Sequence, residues 1–232
     1  MTRYVGFDIE STGIDPMTDR IVTFSIIAQD SNMEQTLYEW TVNPGVEIPE
    51  GASAVHGVTT EDAVRDGRPP AEVLPEIVAV LNYELSFEDA ILTAYNCPFD
   101  LTMLREEYKR HGIIPKDSTY VEDLVAHVGI IDPLVIDKEV NKYRRGSRKL
   151  IDVAEAHGFI LTNAHNSTAD VEATIYLAEK FMTMFEDKAT IYELMELQAT
   201  AKAGQASSLS EYFKKQGRED WEVDGSWPIQ PA

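Results

Sequence analysis

Apolar and polar positions alternate with period two through Gln35-Thr-Leu-Tyr-Glu-Trp-Thr-Val42, and Arg3-Tyr-Val-Gly-Phe-Asp-Ile-Glu10 and Ile21-Val-Thr-Phe-Ser-Ile-Ile27 are two further runs in which apolar residues dominate. These runs are short and rich in β-branched and aromatic residues, so they predict three strands. Ser11-Thr-Gly-Ile-Asp-Pro16 is turn chemistry, and the short connections predict an antiparallel meander. Asn43-Pro44 opens a loop carrying Ala54-Val-His-Gly-Val58. The period then changes. Val73, Leu74, Ile77, Val80 and Leu81 line one face of a helix over residues 71–83, and Ala90-Ile-Leu-Thr-Ala-Tyr95 reads as a buried strand. Residues 99–111 form a helix with Leu101, Leu104 and Tyr108 on one side and Gly112 as its stop. Thr119 to Val121 is a short strand candidate, and residues 132–146 read as a loop. Helices follow over 150–157 and from Ser167 to about Phe185. Ser167 is a candidate N-cap with Asp170 three residues on. A helix over 190–203 ending at Gly204, an amphipathic piece over 208–216 and an irregular aromatic end complete the chain.

A meander followed by alternating strands and helices predicts an α/β fold with a mixed sheet flanked by helices. The expected division is one domain over 1–187 and a helical tail over 188–232, with Tyr212, Phe213, Trp221 and Trp227 covering the domain or docking a partner. With 44% apolar residues in 232, the chain can bury a real core. Its single cysteine, Cys97, excludes a disulfide scaffold and a cysteine-based zinc cluster. No apolar run approaches the roughly 18–20 residues of a membrane span. Met1-Thr-Arg-Tyr4 carries no signal-peptide pattern, so the expected location is cytoplasmic.

Charge narrows the chemistry. Twenty Lys+Arg against 40 Asp+Glu give a net charge of −20. That argues against a protein that coats nucleic acid through a basic face. It leaves open an enzyme that holds phosphates through divalent cations, where carboxylates are required. Asp8 and Glu10 lie at i and i+2 of a strand and share a face, opposite Val5, Phe7 and Ile9. Two adjacent carboxylates repel unless a proton or a cation joins them; a solvated strand edge would carry the same pattern. Asp100 follows a strand and sits in a first helical turn, where ligands of α/β sheets collect and where an acid also favours the helix dipole. His165 and Asp170 flank the start of the next helix, a loop histidine with a capping acid or two groups converging on a site. All four acids offer hard oxygen, which suits Mg²⁺ or Mn²⁺ rather than zinc.

The segments Phe7-Asp-Ile-Glu-Ser-Thr-Gly13, Tyr95-Asn-Cys-Pro-Phe-Asp100 and His165-Asn-Ser-Thr-Ala-Asp170 resemble the three motifs of the DEDDh 3′–5′ exonucleases, the family of the proofreading subunit of bacterial DNA polymerase III, RNase T and oligoribonuclease. The loop Asn43-Pro44 to Thr59 and Leu150-Ile-Asp-Val-Ala-Glu-Ala-His-Gly158 are similar to that family too, and the resemblance spans roughly residues 3–182. It implies a ribonuclease H-like fold and two divalent ions, Mg²⁺ or Mn²⁺, held by Asp8, Glu10, Asp100 and Asp170. It further implies His165 as general base and release of nucleoside 5′-monophosphates. Ser11, Thr12, Gly13, His56, Asn96 and Phe99 would line the 3′-terminal nucleotide. Tyr95 and Ser11 depart from the commoner His and Thr. The expected substrate is a single-stranded 3′ end of DNA or RNA, with DNA favoured, and a polymerase or another replication or repair protein is the expected partner. An accessory subunit acting mainly by binding is the alternative. The tail, a helix followed by Gln216-Gly217 and then Trp227-Pro228, resembles those of stand-alone actinobacterial or phage exonucleases of this family. The basic cluster Lys142, Arg144, Arg145, Arg148 and Lys149 is either a phosphate-facing surface or a solvated loop beside a helix.

Overall fold

The computed structural model describes residues 2–115, 117–161, 167–218 and 221–231. Three antiparallel strands open the fold: β1 (Arg3–Ser11), β2 (Ile21–Gln29) and β3 (Gln35–Thr41). The expected loop that follows holds two short helices, α1 (Glu50–His56) and α2 (Thr60–Asp66). Thr59 and Asp62 form a reciprocal capping box at the start of α2, which a Thr-x-x-Asp spacing encodes. Next come α3 (Pro70–Glu84), β4 (Ala90–Thr93) and α4 (Cys97–Arg110). The sheet order is β3-β2-β1-β4-β5, with β4 parallel to β1 and to β5 (Gly129–Ile131).

The core follows from the alternation in β1. Val5, Phe7 and Ile9 face a cluster with Leu74, Ile77, Leu101 and Leu104 from α3 and α4, and Phe7 stacks on Phe24 at 5.7 Å. Tyr4 faces the opposite cluster with Val171, Ile175 and Phe181 of α8 (Ser167–Phe185). Helices therefore cover both sides of the sheet. Gly6 makes the second contact close. A Cβ there would stand 2.6 Å from Ile175 and 2.8 Å from Val171.

Three expectations fail. Thr119–Val121 is not a strand; α5 (Tyr120–His127) begins there, with Val121 and Val125 buried four residues apart. The apolar pair was short enough to satisfy either period, and the strand lies further on at β5. Residues 132–146 contain α6 (Pro133–Val140), started by Asp132, whose side chain accepts the Leu134 and Val135 N–H groups, with proline in the first turn. After α7 (Leu150–Ala156) and α8, Gly204 does not end a helix. The single helix α9 (Ile191–Lys215) passes through it, with Leu194, Gln198, Ala201 and Ala206 buried. A mid-helix glycine costs only about 1 kcal/mol, less than burying a face on both sides of it returns.

Beyond α9, Trp227 and Ile229 pack on the first core cluster. The Gln230 N–H donates to Thr102 Oγ1 at 3.0 Å, and buried Arg105 donates to the Gln230 carbonyl at 2.6 Å. Tyr212 and Trp221, expected to cover the domain or to dock a partner, are exposed, and Trp221 packs edge-on against Phe213. Among the described residues no helix is long and apolar enough to cross a membrane.

Candidate active site

Asp8 and Glu10 emerge on the face of β1 that α8 covers. Because Gly6 lets α8 sit tight on that strand, Asp170 in the first turn of α8 reaches the same place. Carboxylate oxygens of Asp8, Glu10 and Asp170 lie within 4.8 Å of one another. The start of α8 is fastened to the sheet as well. Ser25, the partner of Asp8 in β2, has its hydroxyl 2.6 Å from that of Ser167. Ser167 is the first described residue of α8, and its side chain pins the helix to the strand.

Asp100 arrives from the other side. β4 pairs with β1 only as far as Gly6, so the Ile9 N–H has no strand partner, and Asp100 Oδ1 accepts it at 3.2 Å. Asp100 is buried in the first turn of α4. It stands outside the trio that shares a 4.8 Å neighbourhood, yet its charge acts on Asp8. Burial pushes the Asp8 carboxyl well up, and the charges of Asp100, Glu10 and Asp170 push it further. Burial, then Asp170, raises Glu10 to about 7. Burial raises Asp100 as well, against the pull of the Ile9 N–H. Several carboxylates that resist ionisation together form an electrostatic deficit that a divalent cation removes. The donors are all carboxylate oxygen, the ligand type of Mg²⁺ and Mn²⁺. The residues therefore fit the ions that the motifs imply.

The expected nucleotide contacts divide. Ser11 is half-buried, and its hydroxyl donates to the Gly13 carbonyl at 2.7 Å. Thr12 is buried and occupied elsewhere: it donates to Asp19 Oδ1 and accepts the Arg20 N–H, each at 3.0 Å. A Cβ at Gly13 would meet the Asp19 carboxylate at 2.5 Å, so a larger residue there would displace the group that Thr12 Oγ1 and the Asp15 N–H bond. His56 ends α1 with Nδ1 accepting the Val58 N–H at 3.2 Å. Its buried Nε2 makes no full hydrogen bond among the described residues. Burial lowers its pKa, with the Ser11 backbone opposing in part. Asn96 takes a left-handed backbone, φ 74°, directly before α4. Phe99 is half-buried against the first core cluster. His165 lies outside the described residues.

The basic cluster is not a free phosphate-facing surface. Arg148 pairs with buried Asp137, which also accepts from His157 Nε2 at 3.0 Å and lies 3.5 Å from Arg144. Lys142 pairs with Glu139 at 2.8 Å. Arg145 and Lys149 remain exposed. Two residues escaped the sequence reading. Ile14, 93% exposed, follows Ser-Thr-Gly directly; a β-branched apolar residue inside a turn of polar residues was its signal. Asp132, buried beside the start of α4, was signalled by its place before a proline.

The family model described as Exonuclease (RNase T) matches residues 5–178. The PolC-type DNA polymerase III of Thermotoga maritima is 28% identical over 195 residues, covering 84% of this chain and 13% of that protein. That of Staphylococcus aureus is 27% identical over 184 residues, covering 79% and 12%. The chain thus spans about one eighth of the length of these curated relatives. Among solved structures, E. coli exonuclease I in complex with a dT13 oligonucleotide superposes with a TM-score of 0.66 at 22% identity, over 81% of this chain and 42% of that one. An ExoI/SSB-Ct complex gives 0.66 at 20% identity, over 90% and 46%.

Proposed function

The chain belongs to this exonuclease family, 3′–5′ exonucleases of the DEDD type with a ribonuclease H-like fold, and from that membership we propose that it hydrolyses phosphodiester bonds at the 3′ ends of single-stranded nucleic acid, DNA in preference to RNA, releasing nucleoside 5′-monophosphates. The observation that carries the reading is the convergence of Asp8, Glu10 and Asp170, with Asp100 held beside them by the Ile9 N–H. These four carboxylates would hold two divalent ions, Mg²⁺ or Mn²⁺. Such ions, when bound, orient the scissile phosphate and stabilise the attacking and leaving oxygens.

The remaining work falls to the chain itself. His165, five residues before Asp170 in the sequence, takes the proton of the attacking water, a task that suits a group titrating near neutrality. The unsatisfied Nε2 of His56 offers a hydrogen bond to the terminal sugar. The exposed Ile14 side chain offers an apolar surface for the terminal base. Thr12 and Gly13 shape the turn rather than touch the substrate. The DNA preference draws on the relatives, which are DNA polymerases and an exonuclease bound to oligo-dT. With a net charge of −20, the chain has little long-range attraction for duplexes.

End-labelled single-stranded DNA, RNA and duplex, incubated with Mn²⁺ or Mg²⁺, test the reading by product polarity. Asp8→Ala should lower turnover by at least about 10²–10³-fold, because several kcal/mol of charge stabilisation depend on the ions that Asp8 holds. Wild-type rates in that variant would refute the site. A second reading has one observation in its favour. The matched region forms only 13% of the Thermotoga maritima polymerase, so the chain could act as an accessory subunit that mainly binds. Full biological activity of the Asp8→Ala variant would favour it.

A further inference from the structure

The carboxylate of Asp132 is fully buried between two helix starts. Its Oδ1 accepts the Asn96 N–H at 3.0 Å and the Leu134 N–H at 3.1 Å, and its Oδ2 accepts the Cys97 N–H at 3.0 Å. One side chain therefore caps both α4 and α6. Helix α4 depends on it, because Asn96, its own N-cap residue, makes no side-chain capping bond. Asp100 stands in the turn that this cap anchors. Asp132 is in turn held by α9. Gln198, fully buried, accepts the Asp132 N–H through Oε1 at 2.6 Å and donates through Nε2 to the Ile130 carbonyl at 2.9 Å. One turn further along α9, Lys202 Nζ donates to Asn96 Oδ1 at 3.3 Å.

We propose that Gln198 and Lys202, which lie beyond the family-matched residues 5–178, are positioning residues for Asp100. Through Asp132 and Asn96 they fix where α4 begins, and so where the Asp100 carboxylate stands relative to Asp8 and Glu10. The inference rests on the metal-dependent reading above. Simple packing would be served by apolar side chains at both positions. A buried amide that matches one donor and one acceptor, and an ammonium directed at the N-cap residue, serve location instead. Groups that orient metal ligands influence affinity and rate by roughly 10–100-fold without touching the ion.

The test uses the full chain with Lys202→Met, Lys202→Arg and Gln198→Met. Mn²⁺ binding is read by titration calorimetry without substrate, alongside Tm, kcat and KM on a single-stranded oligonucleotide. Lys202→Met keeps the aliphatic stem and should weaken Mn²⁺ binding about 10-fold, with kcat falling in parallel and KM unchanged. Lys202→Arg should recover most of both. Gln198→Met leaves the Asp132 N–H unsatisfied; if it folds it should shift Mn²⁺ affinity the same way, and if it does not fold Lys202→Met decides alone. Variants that lose only Tm, or match wild type in Mn²⁺ affinity and kcat, overturn the positioning role. A wild-type chain that neither binds Mn²⁺ nor shortens oligonucleotides overturns the exonuclease reading instead.

Discussion

Glu10 shows what the site demands of single residues. Its folded pKa of about 7 stands above its ordinary 4.5 because burial and Asp170 oppose its charge. The neutral form is therefore favoured by folding. The stability this contributes is complete below about pH 4.5, falls as pH rises, and is lost once pH passes about 7. Asp8 and Asp100 are shifted in the same direction. Metal-free protein should thus melt lower at pH 8 than at pH 5, and Mn²⁺ should raise Tm more at pH 8. Glu10→Gln should raise the metal-free Tm at pH 8 while impairing turnover; differential scanning fluorimetry over a pH series checks both. The acids were legible because the i, i+2 rule and the motif spacing announce them. That the Thr12 hydroxyl is spent within its own turn was not legible, because a sequence does not say which hydroxyls already have partners, and Asp132 was missed because its role exists only where two helices converge.

Among elements, the seat of α8 on β1 decides whether the acids meet. Gly6→Ala would place a methyl 2.6 Å from Ile175 and 2.8 Å from Val171. Overpacking of that kind costs about 1–3 kcal/mol. It also pushes Asp170 away from Asp8 and Glu10, so urea denaturation should show the stability loss and the Mn²⁺ requirement should rise with it. The basic segment after α6 makes the opposite case. Arg148 answers buried Asp137, so Arg148→Ala should destabilise by about 1–3 kcal/mol and leave the salt dependence of oligonucleotide binding unchanged; a shallower slope would restore its phosphate role. Long periodic stretches such as α3, α4 and α8 could be read from the chain. Short α5 and α6 could not, because one or two buried turns do not fix a period, and α9 was divided because glycine was given more weight than the apolar face on either side of it.

For the whole molecule, 40 acidic residues against 20 basic ones keep copies apart by mutual repulsion. That protection is general, whereas the two rims of the sheet are local hazards. β3, at one rim, is largely exposed but bears polar and charged residues. β5, at the other, is wholly buried and apolar, and the paired amide of Gln198 stands where another strand would hydrogen-bond. Helix α9 is thus a lid on a sticky seam. A chain cut back to residues 1–187 would lay that seam bare and invite strand-to-strand recruitment between molecules. Its preparations should scatter light progressively at concentrations where the 232-residue chain stays clear, and a truncated form that remains monodisperse would show that the seam needs no cover.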